Sequence, residues 1–283
     1  MSFAARTFSL LLTGILLLAS PVQAQRVVTM APFLTELVFA SGAGDKLVGV
    51  AAHSDYPAQA KTLPVVADAT GSNREALLAL RPDVVLAWRT GTPAGVIESL
   101  RQAGINVVVM DGARIDDVPK LLRQIGVLTS MQTRSEQSAI AFETGLKKLR
   151  GTYSAKPRVQ AMFEIWHAPL MTISGNHFMT DALEACGGSN VFNDLATIAP
   201  EVSLESVIAK DPQAIIGAGS ALDEKAFRAN WSRFGSLRAV KTGALIYLNP
   251  DTIQRQTPRL LEGVKALCEG LEAVRSGSTA RGR

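Results

Sequence analysis

The sequence predicts an α/β protein of two similar lobes with mainly parallel sheets, joined by one long rigid helix, with a ligand cleft between the lobes. Three observations predict it. Strand-like apolar runs alternate with helical patterns in both halves of the chain. A helix–strand unit occurs twice: residues 73–87 read NREALLALRPDVVLA and residues 203–217 read SLESVIAKDPQAIIG. These align without a gap at an offset of 130, matching Glu75 with Glu205, Ala79 with Ala209 and Pro82 with Pro212. Upstream, residues 33–45 (FLTELVFASGAGD) and 178–190 (FMTDALEACGGSN) repeat in the same order at an offset of 145. Between the halves, residues 136–153 run with no proline and with only Gly145 and Gly151 as helix-weakening residues.

In chain order, residues 1–24 read as a secretory signal peptide: Arg6, an apolar run over 8–19, and the cleavage site Val22-Gln23-Ala24. The run is too short to span a bilayer, and no lipobox cysteine follows it. The N-terminal lobe is expected over 25–117. A strand at 26–30 ends at Pro32, a helix at 34–41 is closed by Gly42 and Gly44, and a strand follows at 47–52. After a polar loop at 69–73, Asn73 caps a helix with Glu75 in its first turn, where a negative charge suits the helix dipole. Arg81-Pro82-Asp83 ends that helix; a strand at 84–88, a helix at 96–103 and a strand at 107–110 complete the lobe.

Residues 118–156 form the linker. It holds a helix at 118–125 and the backbone helix, on the order of 30 Å long if it starts near Thr133, which Pro157 stops. One rigid crossover predicts a small domain closure. The C-terminal lobe, 157–275, restarts the alternation. Strands are expected at 159–165, 214–217 and 245–248, and helices at 178–185, 204–210, 225–234 and 258–274. Residues 276–283 read as a disordered tail.

Composition excludes several classes. Removing residues 1–24 takes away only Arg6 and leaves 28 basic against 25 acidic residues, a mild net charge of +3. No clustered basic face marks a nucleic-acid binder. An exported protein in a Gram-negative cell resides in the periplasm, and there two cysteines, Cys186 and Cys268, favour one disulfide. The chain has no GxSxG elbow, no HExxH and no P-loop, so neither catalysis nor a resident metal or cofactor is expected.

In open α/β sheets ligands bind beyond the carboxyl ends of the strands. The loops there hold Phe33, the 53–57 stretch HSDYP, Trp88-Arg89 and Asp111 in the first lobe. The second lobe offers Trp166-His167, Gly219-Ser220 and residues 251–255. Two of the three Trp, one of the three Tyr and two of the three His fall in these loops. Such aromatic faces with few polar groups suit a large, flat, partly polar ligand. Candidate contacts are Phe33, Tyr56, Trp88, Trp166, Asp251, Thr252, Ile253, Gln254 and Arg255; His53 and His167 are candidate metal or ligand contacts. Glu75 and Glu205 serve as dipole partners or, being paired one per lobe, as feet on a partner.

The motifs SDYP (54–57), AWR (87–89), CGG (186–188) and DTIQRQTPR (251–259) together carry a resemblance. The chain resembles the periplasmic cobalamin-binding proteins of bacterial ABC importers, within the helical-backbone class of substrate-binding proteins. The resemblance implies cobalamin or a related corrinoid as a transported ligand, captured by a monomer and delivered to the membrane subunits of an importer. It implies aromatic contacts from Tyr56 and Trp88 and further contacts from residues 251–255. It also implies docking through Glu75 and Glu205, and a disulfide between Cys186 and Cys268 across the second lobe. The sequence departs from the pattern at Ala69 and Ala199, where similar proteins carry aromatics. Haem or a ferric siderophore on the same scaffold is the alternative cargo, with Tyr56, His53 and His167 as iron ligands in the haem case.

Overall fold

The computed structural model describes residues 25–68, 71–219 and 223–278; the expected signal peptide, Ala69, Ser220 and residues 279–283 lie outside them. Five parallel strands build the first sheet: β1 (Val27–Thr29), β2 (Leu47–Ala51), β3 (Val65–Ala67), β4 (Val84–Trp88) and β5 (Val107–Met110), in the order β3-β2-β1-β4-β5. Helices α1 (Pro32–Ala40), α2 (Arg74–Ala79) and α3 (Ala94–Gln102) connect them. The strands bury both faces. Val27, Val84 and Leu86 face α1, while Val28, Val85 and Ala87 face Leu77 of α2 and Leu100 of α3. Continuous apolar runs of this kind are what a parallel sheet covered on both sides requires.

Two antiparallel neighbours, α4 (Val118–Leu128) and α5 (Gln132–Tyr153), cross to the second lobe. A side chain on Gly126 would place its Cβ 2.3 Å from Ser135 Oγ, so glycine there lets the two helices meet. α5 spans roughly 33 Å and buries Ala139, Phe142 and Leu146.

The second sheet has four parallel strands: β6 (Val159–Glu164), β7 (Gly188–Asn190), β8 (Ala214–Gly217) and β9 (Leu245–Tyr247), in the order β7-β6-β8-β9. Its helices are α6 (Phe178–Ala185), α7 (Leu204–Lys210), α8 (Glu224–Ser232), α9 (Arg238–Lys241), α10 (Pro250–Ile253) and α11 (Leu260–Arg275). The first strand of each lobe is central, and each sheet reverses direction of growth there, between β1 and β4 and between β6 and β8. One apolar core runs from Val27 through Phe142 of α5 to Leu271 of α11 and joins the lobes. No helix of the described residues is long and apolar enough to cross a membrane.

The internal repeat is a structural repeat. α1 matches α6, α2 matches α7 and β4 matches β8. The same caps recur: Asn73 Oδ1 accepts from Ala76 N–H, and Ser203 Oγ from Ser206 N–H. Both helices end on a left-handed residue before proline, Arg81 (φ 44°) and Asp211 (φ 39°). Asp83 then accepts from the Arg26 N–H and Gln213 from the Gln160 N–H, each tying the unit to the central strand of its own sheet. Cys186 and Cys268 form a disulfide that staples the end of α6 to α11.

The structure adds β3, β7, α9 and α10 to the elements read from sequence. Each has three or four residues, too few to display a period. The stretch 251–255, read as a strand-end loop, begins as the short helix α10, capped by Asn249 Oδ1 on the Asp251 N–H.

Candidate functional site

The two sheets aim the carboxyl ends of their strands at a common cleft. Its apolar part is a cavity of about 460 Å³ lined by Met30, Phe33, Trp88 and Phe178 on one side and Gln254, Arg255 and Gln256 on another. A second cavity of about 490 Å³ lies between His53, Asp55, Asp251 and Arg255. The two share His53, Gln254 and Arg255, so they adjoin. Their size is that of a site for a sizeable organic ligand.

Trp88 ends β4 with its indole 38% exposed, edge-on to the Phe33 ring at 5.6 Å. The Trp88 N–H donates to Thr92 Oγ1 and its carbonyl accepts from the Thr92 N–H, which turns the chain back beneath the ring. Gly91 allows this: a Cβ there would sit 1.8 Å from the indole.

The loop after β2 is anchored by a chain of buried hydroxyls, Thr29 to Thr35 at 2.7 Å and Thr35 to Ser54 at 3.0 Å. His53 enters it in a left-handed conformation (φ 64°) and is exposed. Tyr56 is 47% exposed, and the Arg259 guanidinium lies 3.9 Å from its ring centre, so one ring face is covered and the other is open.

Arg255 joins the lobes. Its Nη1 donates to Glu36 Oε1 and to Asp55 Oδ1, both at 2.8 Å, and its Nη2 lies 2.8 Å from Asp251 Oδ1. Glu36 is buried and Arg255 mostly so, while Asp55 and Asp251 are half exposed. Arg259 approaches Glu36 at 3.4 Å as a second cation. Burial works to raise the Asp55 carboxyl, but the Arg255 bond and charge outweigh it and hold the group below its ordinary range. Burial likewise opposes the Arg255 charge, and the bonds from Asp55 and Glu36 override it. Asp55 and Asp251 thus keep open oxygens at the cleft beside a fixed guanidinium, an arrangement able to bond amide groups of both polarities.

Phe33, Trp88, Gln254 and Arg255 therefore meet in one cavity, with Asp251 beside it. Tyr56 lies next to them on the loop that holds Asp55. Thr252 is buried and Ile253 wholly so, which makes their side chains packing beneath the cleft rather than its lining. Trp166 stands apart. It is 43% exposed, donates from Nε1 to the Ala168 carbonyl, and borders a small hollow with His167 and Tyr247. Its hairpin pairs with the segment containing Ala199, through Thr172 N–H to the Pro200 carbonyl and Val202 N–H to the Leu170 carbonyl. His167 Nδ1 is 2.9 Å from Glu164, a carboxylate whose burial raises its pKa against the opposing bonds from Trp231 and His167. No group of three or more His, Cys, Asp or Glu among the described residues is placed to hold a metal ion.

The residue overlooked in sequence is Phe178. It is the first residue of α6 and matches Phe33, the second residue of α1, in the repeat, and both line the cavity. The repeat itself contained the signal, since the two phenylalanines head the aligned segments. Glu75 and Glu205 are exposed in the first turns of α2 and α7, each on the helix that precedes the strand after the switch point of its sheet.

The vitamin B12-binding protein of Vibrio parahaemolyticus is 32% identical over 251 residues, 89% of this chain and 90% of that one. The vitamin B12-binding protein of Pectobacterium carotovorum is 35% identical over 272 residues, covering 95% and 96%. Among solved structures, the periplasmic vitamin B12 binding protein BtuF of Vibrio cholerae superposes with a TM-score of 0.82 at 32% identity, over 89% of this chain and 98% of that one. A periplasmic heme binding protein from Pseudomonas aeruginosa gives 0.77 at 27% identity, over 86% and 91%. The family model for periplasmic binding proteins matches residues 27–252, and the chain belongs to that family.

Proposed function

We propose that this protein captures cobalamin or a closely related corrinoid in the periplasm and delivers it to an ABC importer. The observation that carries the reading is the two-sided cleft. Phe33, Trp88 and Phe178 offer apolar faces and edges to a macrocycle, and Asp55, Asp251, Gln254 and Arg255 offer donors and acceptors to an amide-bearing rim. Relatives named as vitamin B12-binding proteins that align with nearly the whole chain support the same cargo. The protein's work is recognition, with no bond made or broken in the ligand.

Delivery uses Glu75 and Glu205, one per lobe, as charged contacts with the membrane subunits, and a monomer suffices because both lobes belong to one chain. Such rim charges set register and encounter rate more than affinity. Glu75→Ala with Glu205→Ala is expected to abolish uptake while leaving ligand affinity unchanged.

The carrier reading is tested by isothermal titration of residues 25–283 with cyanocobalamin, cobinamide and haemin in parallel. One-site sub-micromolar binding of cyanocobalamin is the expected result. Binding of haemin alone would overturn the cargo, and would point to His53 at the junction of the two cavities as the group to test as an iron ligand.

A further inference from the structure

The repeat extends to positions that folding does not constrain. Leu77 in α2 and Val207 in α7 match because each is wholly buried against its own lobe. The neighbouring solvent-facing positions match as well. Glu75, Leu78 and Ala79 on α2 are exposed, and so are Glu205, Ile208 and Ala209 on α7, each 130 residues further on. Leu78 is 37% exposed and Ile208 44%. A single exposed aliphatic residue needs no explanation. Six large aliphatic side chains are exposed among the described residues, however, and two of them occupy one position of the repeat. Packing within a lobe gives no reason for that match, whereas contact with one kind of surface at both lobes does.

The acid and the aliphatic residue are three apart in each helix, so they share a face. We infer that Leu78 and Ile208 are the apolar anchors of the docking surface, each entering an apolar socket beside a cationic side chain on an importer membrane subunit. The inference rests on the carrier reading above. The glutamates demand cations opposite them, which fixes the charge of the partner. An acid at a solvated rim orients the encounter, while an aliphatic side chain that loses its water holds the complex together. Because the acid, the aliphatic residue and the small alanine are presented twice, the partner must offer two sockets of like chemistry. Two copies of one subunit about a two-fold axis meet that requirement.

The test uses the full mature protein and its importer reconstituted in nanodiscs, with importer binding read by biolayer interferometry and cyanocobalamin binding by calorimetry. Leu78→Gln with Ile208→Gln is expected to weaken importer binding roughly tenfold, with cyanocobalamin affinity and melting temperature unchanged. Leu78→Met with Ile208→Met should retain binding within threefold. If the glutamine pair loses less than fivefold while Glu75→Ala with Glu205→Ala loses binding, the anchors are overturned and the docking role of the glutamates stands. If the wild-type protein does not bind the importer at all, the carrier reading falls and the anchors fall with it. Should the glutamine pair fail to fold, Leu78→Lys with Ile208→Lys is judged by the same fivefold criterion.

Discussion

At the end of β4 the first lobe turns on a half-exposed Trp88 beside Phe33; at the matching point, just past β8, the second lobe has a fully buried Ala218. Around these two ends the lobes share a cap, a left-handed helix stop, a proline and a backbone tie to the central strand. They share an exposed acid and aliphatic pair on the outside as well. At the cleft the divergence lies at the inner ends of the strands. There the first lobe supplies most of the apolar surface and the second supplies Gln254, Arg255 and Asp251. The two lobes thus share what builds each of them and what each shows to the outside, while their facing ends are complementary.

The lobes also differ in what holds them together, and that difference can be broken. The disulfide lies wholly in the second lobe and closes a separation of 82 residues. By loop-closure entropy, Cys186→Ser with Cys268→Ser costs about 4 kcal/mol, measured by urea unfolding, with hydrogen-exchange protection lost first in α6 and α11. The next effect lies where the lobes meet. Arg255→Ala leaves Glu36 buried with only Arg259, at 3.4 Å, beside it, and costs roughly 3 kcal/mol. Adding Glu36→Gln removes the stranded charge and should recover most of that loss.

A pH test sharpens the comparison between α1 and α6. Pro32 begins α1, but at the matching position His177 caps α6, its Nδ1 accepting from the Met179 N–H. Burial lowers the His177 pKa from 6.5 to about 4. In the unfolded chain the ring protonates near 6.5, so the stability its neutrality provides is complete above that pH and is lost as pH falls towards 4. The loss approaches about 3 kcal/mol. His177→Asn keeps a cap acceptor and should flatten the stability profile between pH 6.5 and 4, as read by denaturation at a series of pH values. The smallest effect concerns the two exposed tryptophans. Trp88→Ala should weaken cyanocobalamin binding by about 2 kcal/mol, while Trp166→Ala, outside both cavities, should change it far less. Equal losses by titration would put both lobes' aromatics on the ligand.

Much of this was legible in the sequence because the lobes repeat. The pattern located α2, β4, α7 and β8, and the strand-end rule gathered Phe33, Trp88, Gln254 and Arg255 into one place. What the sequence could not display were contacts between distant segments. Nothing near Glu36 foretells that Arg255 and Arg259 will meet it across the lobes, or that Arg259 will cover one face of Tyr56. Ile253 reads as part of a polar motif, yet in α10 it turns inward and is buried. β3 and β7 are defined by pairing with β2 and β6 rather than by any period of their own.

The most direct test of the account is a crystal structure of residues 25–283 with cyanocobalamin. The corrin ring is expected between the lobes, in contact with Phe33 and Trp88 on one side and with its amide rim bonded to Asp251, Gln254 or Arg255 on the other. A ligand seated on the Trp166 hairpin and clear of Trp88, or bound outside the cleft, would contradict it.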